Sequence, residues 1–79
     1  MTVKSGLTEK YEEFCRLLVE ERQNAGLSQQ EVADRLGRPQ TFISKCERGT
    51  RRMDVVEFLE IAEVIGFDPL DFIRKLRAR

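Results

Sequence analysis

Histidine is absent from the 79 residues, and the two cysteines, Cys15 and Cys46, stand 31 positions apart. Those absences remove zinc fingers, cysteine–histidine nucleophile pairs and histidine general bases together. No glycine loop of the phosphate-cradling kind occurs, so the carboxylates read as helix faces and caps, and no enzyme activity, metal or cofactor is expected. No apolar run approaches the ~20 residues that cross a bilayer. The opening MTVKSGLTEKYEE lacks the apolar core of a signal peptide, so a cytoplasmic location is expected. Net charge is lacking too, with 14 basic residues against 14 acidic.

What is present is helical periodicity. The length suits one small domain near the lower limit for a core without staples, and 41% hydrophobic residues argue against disorder. Both prolines and most of the five glycines fall between helical patterns, and nothing reads as a strand. The charge is segregated. From Arg35 to Arg52 there are six basic residues and one acidic, Glu47, while Asp54 to Asp71 holds six acidic and none basic. Local potential, not net charge, steers a polyanion, so the basic segment keeps nucleic acid in play.

That segment contains the organising stretch, Leu27–Gly49. Ser28 followed by Glu31 is the reciprocal capping-box pattern that opens a helix. Val32, Ala33 and Leu36 share one helical face, and Gly37 supplies an unbranched backbone where that helix ends. Phe42, Ile43 and Cys46 form a second apolar set beyond the turn. Helix, glycine turn and helix at those offsets make a helix-turn-helix, whose second helix can enter the major groove. The outward positions on that second helix are Gln40, Thr41, Ser44 and Lys45. Glutamine can bond adenine in bidentate fashion, serine is an adaptable partner, and lysine reaches guanine or phosphate. The alternative is that these four are solvated polar residues.

Along the chain, residues 1–7 read as a flexible arm and residues 8–79 as the single domain. A first helix is expected from Thr8 to about Asn24, with Tyr11, Phe14, Cys15, Leu18 and Ala25 facing inward. Arg22 falls on the same stripe, where a bare charge is costly. The second helix is expected over Ser28–Leu36 and the third from Pro39 or Gln40 to Arg48. Asp54 and Glu57 repeat the capping box for a fourth helix to Ile65, with Phe58, Ile61, Ala62 and Ile65 as its core face. Asp68 and Pro69 open a fifth, with Leu70, Ile73 and Leu76 continuing the core. Arg74, Lys75, Arg77 and Arg79 oppose that helix's negative end, with a DNA or partner contact as the alternative. Cys15 and Cys46 read as buried free thiols, a redox switch being the alternative. The architecture is all-α with five helices.

Ser28-Gln29, Ala33, Gly37, Ile43-Ser44-Lys45, Glu47-Arg48-Gly49 and Ile61-Ala62-Glu63-Val64-Ile65-Gly66 together resemble the Cro and lambda-repressor type helix-turn-helix domain, the XRE family. The resemblance runs over roughly residues 9 to 74. It implies a five-helix lambda-repressor-like fold and double-stranded DNA as partner. Gln40, Thr41 and Ser44 fall where family members touch bases, with Lys45 nearby, and Gln29 matches a glutamine that binds the backbone. It also implies that Arg22 pairs with Glu47 beneath the recognition helix; a solvated arginine is the alternative. Arg38, where the family is often apolar, and Pro39, where it often has a capping hydroxyl, are departures. Arg38, Thr50, Arg51 and Arg52 flank the third helix and can straddle one groove to hold phosphates.

A lone domain covers few base pairs, so a homodimer on a pseudo-palindrome is expected. Val55, Leu59, Val64 and Phe72, left over from the core stripes, are the interface candidates. The function these features imply is sequence-specific DNA-binding transcriptional regulation, with repression foremost. The rival, from another class, is a protein-interaction module or antitoxin-like adaptor that uses the same fold to grip a protein partner.

Overall fold

In the computed structural model, which describes residues 4–79 and side chains from residue 9 onward, Ser28, Asp54 and Asp68 each stand where extended backbone turns into helix. They open three of the five helices among the described residues: α1 (Lys4–Asn24), α2 (Gln29–Leu36), α3 (Gln40–Arg48), α4 (Val55–Ile65) and α5 (Pro69–Ala78). Ser28 with Glu31 and Asp54 with Glu57 form complete capping boxes, each satisfying two backbone donors. Pro39 occupies the cap position of α3 with no side-chain bond to the helix, so that helix starts at Gln40 without a capping hydroxyl. Its other end is firmer. Gly49 takes φ 78°, and its N–H together with that of Thr50 returns to carbonyls of the last turn.

Helix α2 packs on α3 and α4, and α1 packs on α3 and α5. The core is Leu17, Leu18, Val32, Ala33, Phe42, Ile43, Cys46, Phe58, Ile61 and Phe72. One end is aromatic: Phe72 meets Phe14, Phe58 and Phe67 with ring centres 4.9–5.5 Å apart. Such edge-on and stacked contacts add about 0.5–1.5 kcal/mol per pair beyond the buried area. Cys15 and Cys46 are free and buried, and the Cys15 thiol donates to the Cys46 carbonyl at 3.4 Å. Burial pushes both thiols up, which keeps them protonated and unreactive.

Several expectations need correction. Helix α1 reaches back to Lys4, so residues 4–7 of the expected arm are helical; residues 1–3 lie outside the described ones. Propagating a formed helix by one more turn is far easier than nucleating it, and no proline intervenes. Leu17, missing from the expected inner stripe, is fully buried, whereas Ala25 lies past the helix end and is exposed. Helix α1 packs on α3 and α5 and also meets α4 through Phe14 and Phe58, so its buried arc is wider than one stripe. The face of α5 is rotated. Leu70 and Ile73 are 64% and 45% exposed, and Phe72, expected at a dimer interface, is sealed in the core. Phenylalanine removes more apolar surface than either alternative, and it joins the other rings with Leu76 one turn on. Val64 is also half turned inward against the core.

The basic end of α5 is tied to α1. Lys75 meets Glu21 at 3.3 Å, Arg79 meets Glu13 and Glu20 at 3.5 Å, and Lys10 donates to the Leu76 and Arg79 carbonyls. Among the described residues, no helix is long and apolar enough to cross a membrane.

The assignment of the α5 face is testable by denaturant unfolding. Phe72→Ala should cost about 3–5 kcal/mol, and Ile73→Ala well under half of that. Equal losses would mean that the helix is rotated from this arrangement.

Candidate nucleic-acid interface

The N-terminal half of α3 is held from below by a polar chain that begins on α1. Arg22 Nε donates to Glu47 Oε2 at 2.7 Å and Nη2 to Oε1 at 3.0 Å, a two-pronged pair only 13% and 8% exposed. Arg22 Nη1 also donates to the Leu27 carbonyl at 2.9 Å. The Gln29 amide donates to Glu47 Oε1 at 2.8 Å, and the Gln40 amide donates to Gln29 Oε1 at 2.6 Å. Charge sets the polarity of this chain. A carboxylate only accepts, so Gln29 must offer Glu47 its NH2 and Gln40 its carbonyl oxygen, and Gln40 must donate in turn. Gln40 therefore keeps its own carbonyl oxygen and one N–H, the two groups that adenine requires.

Thr41 and Lys45 are exposed and Ser44 is half-buried, beside the buried Phe42, Ile43 and Cys46 of the same helix. Alternation of these sets over nine residues gives α3 one sealed face and one open face. Gln40, Thr41, Ser44 and Lys45 thus share the helix's open side and its first turns.

The flanking basic residues gather on acidic and aromatic partners of this fold. Arg38, before α3, and Arg51, after it, converge on one acid, Glu57 of α4. Arg38 Nη2 donates to Oε2 at 2.9 Å, and Arg51 donates through Nη1 and Nη2 at 3.0 Å each. Both guanidiniums lie over the Phe42 ring, at 4.1 and 4.7 Å from its centre. Arg52 turns to α1 and covers the Tyr11 ring at 4.4 Å, while the Thr50 hydroxyl donates to the Lys45 carbonyl at 3.3 Å. Gln29, at the start of α2, is the link between Glu47 and Gln40.

Three features escaped the sequence. Glu57 is legible there as a capping residue and nothing more, because no spacing rule brings two loops to one carboxylate. Phe42 reads as core, yet it is also the platform for two cations. The Gln29–Gln40 bond joins residues 11 apart on different helices, which periodicity does not address.

The side-chain bonds from Arg51, then the Asp54 backbone N–H, hold the Glu57 carboxyl at about 2, down from an ordinary 4.5. A depressed folded-state value means that the acid stabilises the fold fully above pH 4.5 and loses that contribution as pH falls toward 2. Urea unfolding between those limits should show wild type losing stability more steeply than Glu57→Gln; parallel curves would contradict the arrangement. The largely buried Arg22–Glu47 pair makes a second prediction. Arg22→Ala or Glu47→Ala should each cost about 3–5 kcal/mol, and the double variant clearly less than the sum, as read from a double-mutant cycle.

Comparison with known proteins places the chain in a family. A model of the helix-turn-helix domain family matches residues 13–79. An uncharacterized HTH-type transcriptional regulator, y4dJ, of Sinorhizobium fredii (strain NBRC 101917 / NGR234) is 35% identical over 60 residues, 76% of this chain and 73% of the relative. A solved XRE-family like protein from Pseudomonas syringae pv. tomato str. DC3000 superposes with a TM-score of 0.90 at 45% identity, covering 95% of this chain and 92% of its own. The family model, the relative and the solved structure point the same way: the chain belongs to the XRE-type helix-turn-helix transcriptional regulators.

Proposed function

We propose that this regulator binds a pseudo-palindromic operator as a homodimer, with α3 in the major groove, and acts foremost as a repressor by occupancy in the cytoplasm. The observation that carries the reading is Gln40, held by its bond to Gln29 with its base-reading groups open. Ser44 and Thr41 read neighbouring base edges, and Lys45 reaches guanine or phosphate. Gln29, Arg38, Thr50, Arg51 and Arg52 contact the backbone and fix register. Half-sites lie about 34 Å apart, one helical turn.

The dimer surface is drawn from the exposed apolar residues of α4 and α5. Val55 and Leu59 belong to it, and Val56, Leu70 and Ile73 join them in place of the buried Phe72. The same patch is what favours the second reading, a module that grips a protein partner. The basic turn and loop around α3 favour DNA.

Selection of bound sequences from random duplex DNA, followed by titration of the winner, tests the proposal. The expected result is a two-fold symmetric site on which Gln40→Ala or Ser44→Ala costs about 1–3 kcal/mol while binding to scrambled duplex hardly changes. Weak, sequence-blind binding, untouched by either substitution, would favour the protein-partner reading.

A further inference from the structure

Glu57 lies on α4, outside the recognition helix, yet one carboxylate gathers Arg38 from the turn before α3 and Arg51 from the loop after it. Its Oε1 also accepts the Asp54 backbone N–H at 3.1 Å. The acid is 13% exposed, whereas the arginines it holds are 38% and 40% exposed. The cluster therefore hides its negative charge and shows part of its positive charge. Phe42 beneath the two guanidiniums restricts them further, and it belongs to the first turn of α3.

We infer that Glu57 is a specificity-determining positioning residue: it fixes Arg38 and Arg51 beside the recognition helix and cancels one of their two charges. The inference rests on the reading that α3 binds duplex DNA. Sequence-blind affinity comes from cations that displace counterions, with a salt slope of about 0.9 per phosphate neutralised. One acid against two guanidiniums leaves a single net charge, so the cluster gives up part of that affinity. In return, the guanidiniums are ordered before DNA arrives. Each has five N–H donors, and Arg38 commits only one to Glu57, so donors remain for a phosphate. Contacts that are ordered beforehand fix register at lower entropic cost, which is what base readout by Gln40 and Ser44 needs.

Glu57→Gln is the informative variant, because glutamine still accepts the cap N–H at this helix position. Wild type, Glu57→Gln and Arg38→Gln would be titrated as full chains against the selected duplex and a scrambled one over a range of salt, with thermal melts to check folding. Glu57→Gln should bind scrambled duplex more tightly, with a slope steeper by about 0.9. Its ratio of selected to scrambled affinity should fall about tenfold, as expected when two side chains must be ordered on binding. Arg38→Gln should make the slope shallower by about 0.9 on both duplexes. If wild type discriminates but Glu57→Gln keeps both ratio and slope, Glu57 is a helix cap only and the inference fails alone. Should Glu57→Gln not fold, Arg38→Gln decides, and an unchanged slope overturns the inference. A wild type that does not discriminate removes the DNA reading and this inference with it.

Discussion

The largely buried pair of Arg22 and Glu47 is the contact on which the rest of this small protein depends. Taking two charges out of water is costly, and the cost is offset only because every prong is bonded: two between the pair, one to the Leu27 carbonyl, one from Gln29. That requirement ties α1 to α3 and to the start of α2 at one point. An apolar contact of similar size would tolerate sliding; a bidentate guanidinium–carboxylate bond does not. The recognition helix is thereby set in register against the scaffold, and Gln40 inherits that register through Gln29.

A second acid does related work at the surface. Glu57 closes the capping box of α4 and holds the two arginines that flank α3. The two carboxylates thus act on opposite ends of one problem. Glu47 orients α3 itself, and Glu57 orients the two arginines that flank it. Both are acidic residues at the edge of a basic surface, which is why counting net charge says so little about the partner.

The boundaries from α2 onward were legible because they rest on local chemistry, whereas the start of α1 was not. Ser28, Asp54 and Asp68 cap, Gly37, Gly49 and Gly66 stop, and each bond lies within a few residues of its cause. The Arg22–Glu47 contact was legible through resemblance, since its partners are 25 residues apart and no local rule joins them. The α5 face was misread because apolar residues at 70, 72, 73 and 76 fit two faces equally well. Only the presence of Phe14, Phe58 and Phe67 in one place decides for Phe72. Glu57 was half legible: its cap is local, and its hold on Arg38 and Arg51 is tertiary. Residues that touch only their own helix can be read from the chain, whereas those that join loops need the fold.

The open face of α3, set by this polar chain, is the proposed seat of duplex DNA. Backbone amide shift mapping, with the selected duplex added to isotopically labelled protein, is the measurement to make. Perturbations should concentrate at Gln29, at Arg38 through Lys45 and at Thr50 through Arg52. Unperturbed amides from Gln40 to Lys45, with changes confined to Val55 through Ile73, would contradict it.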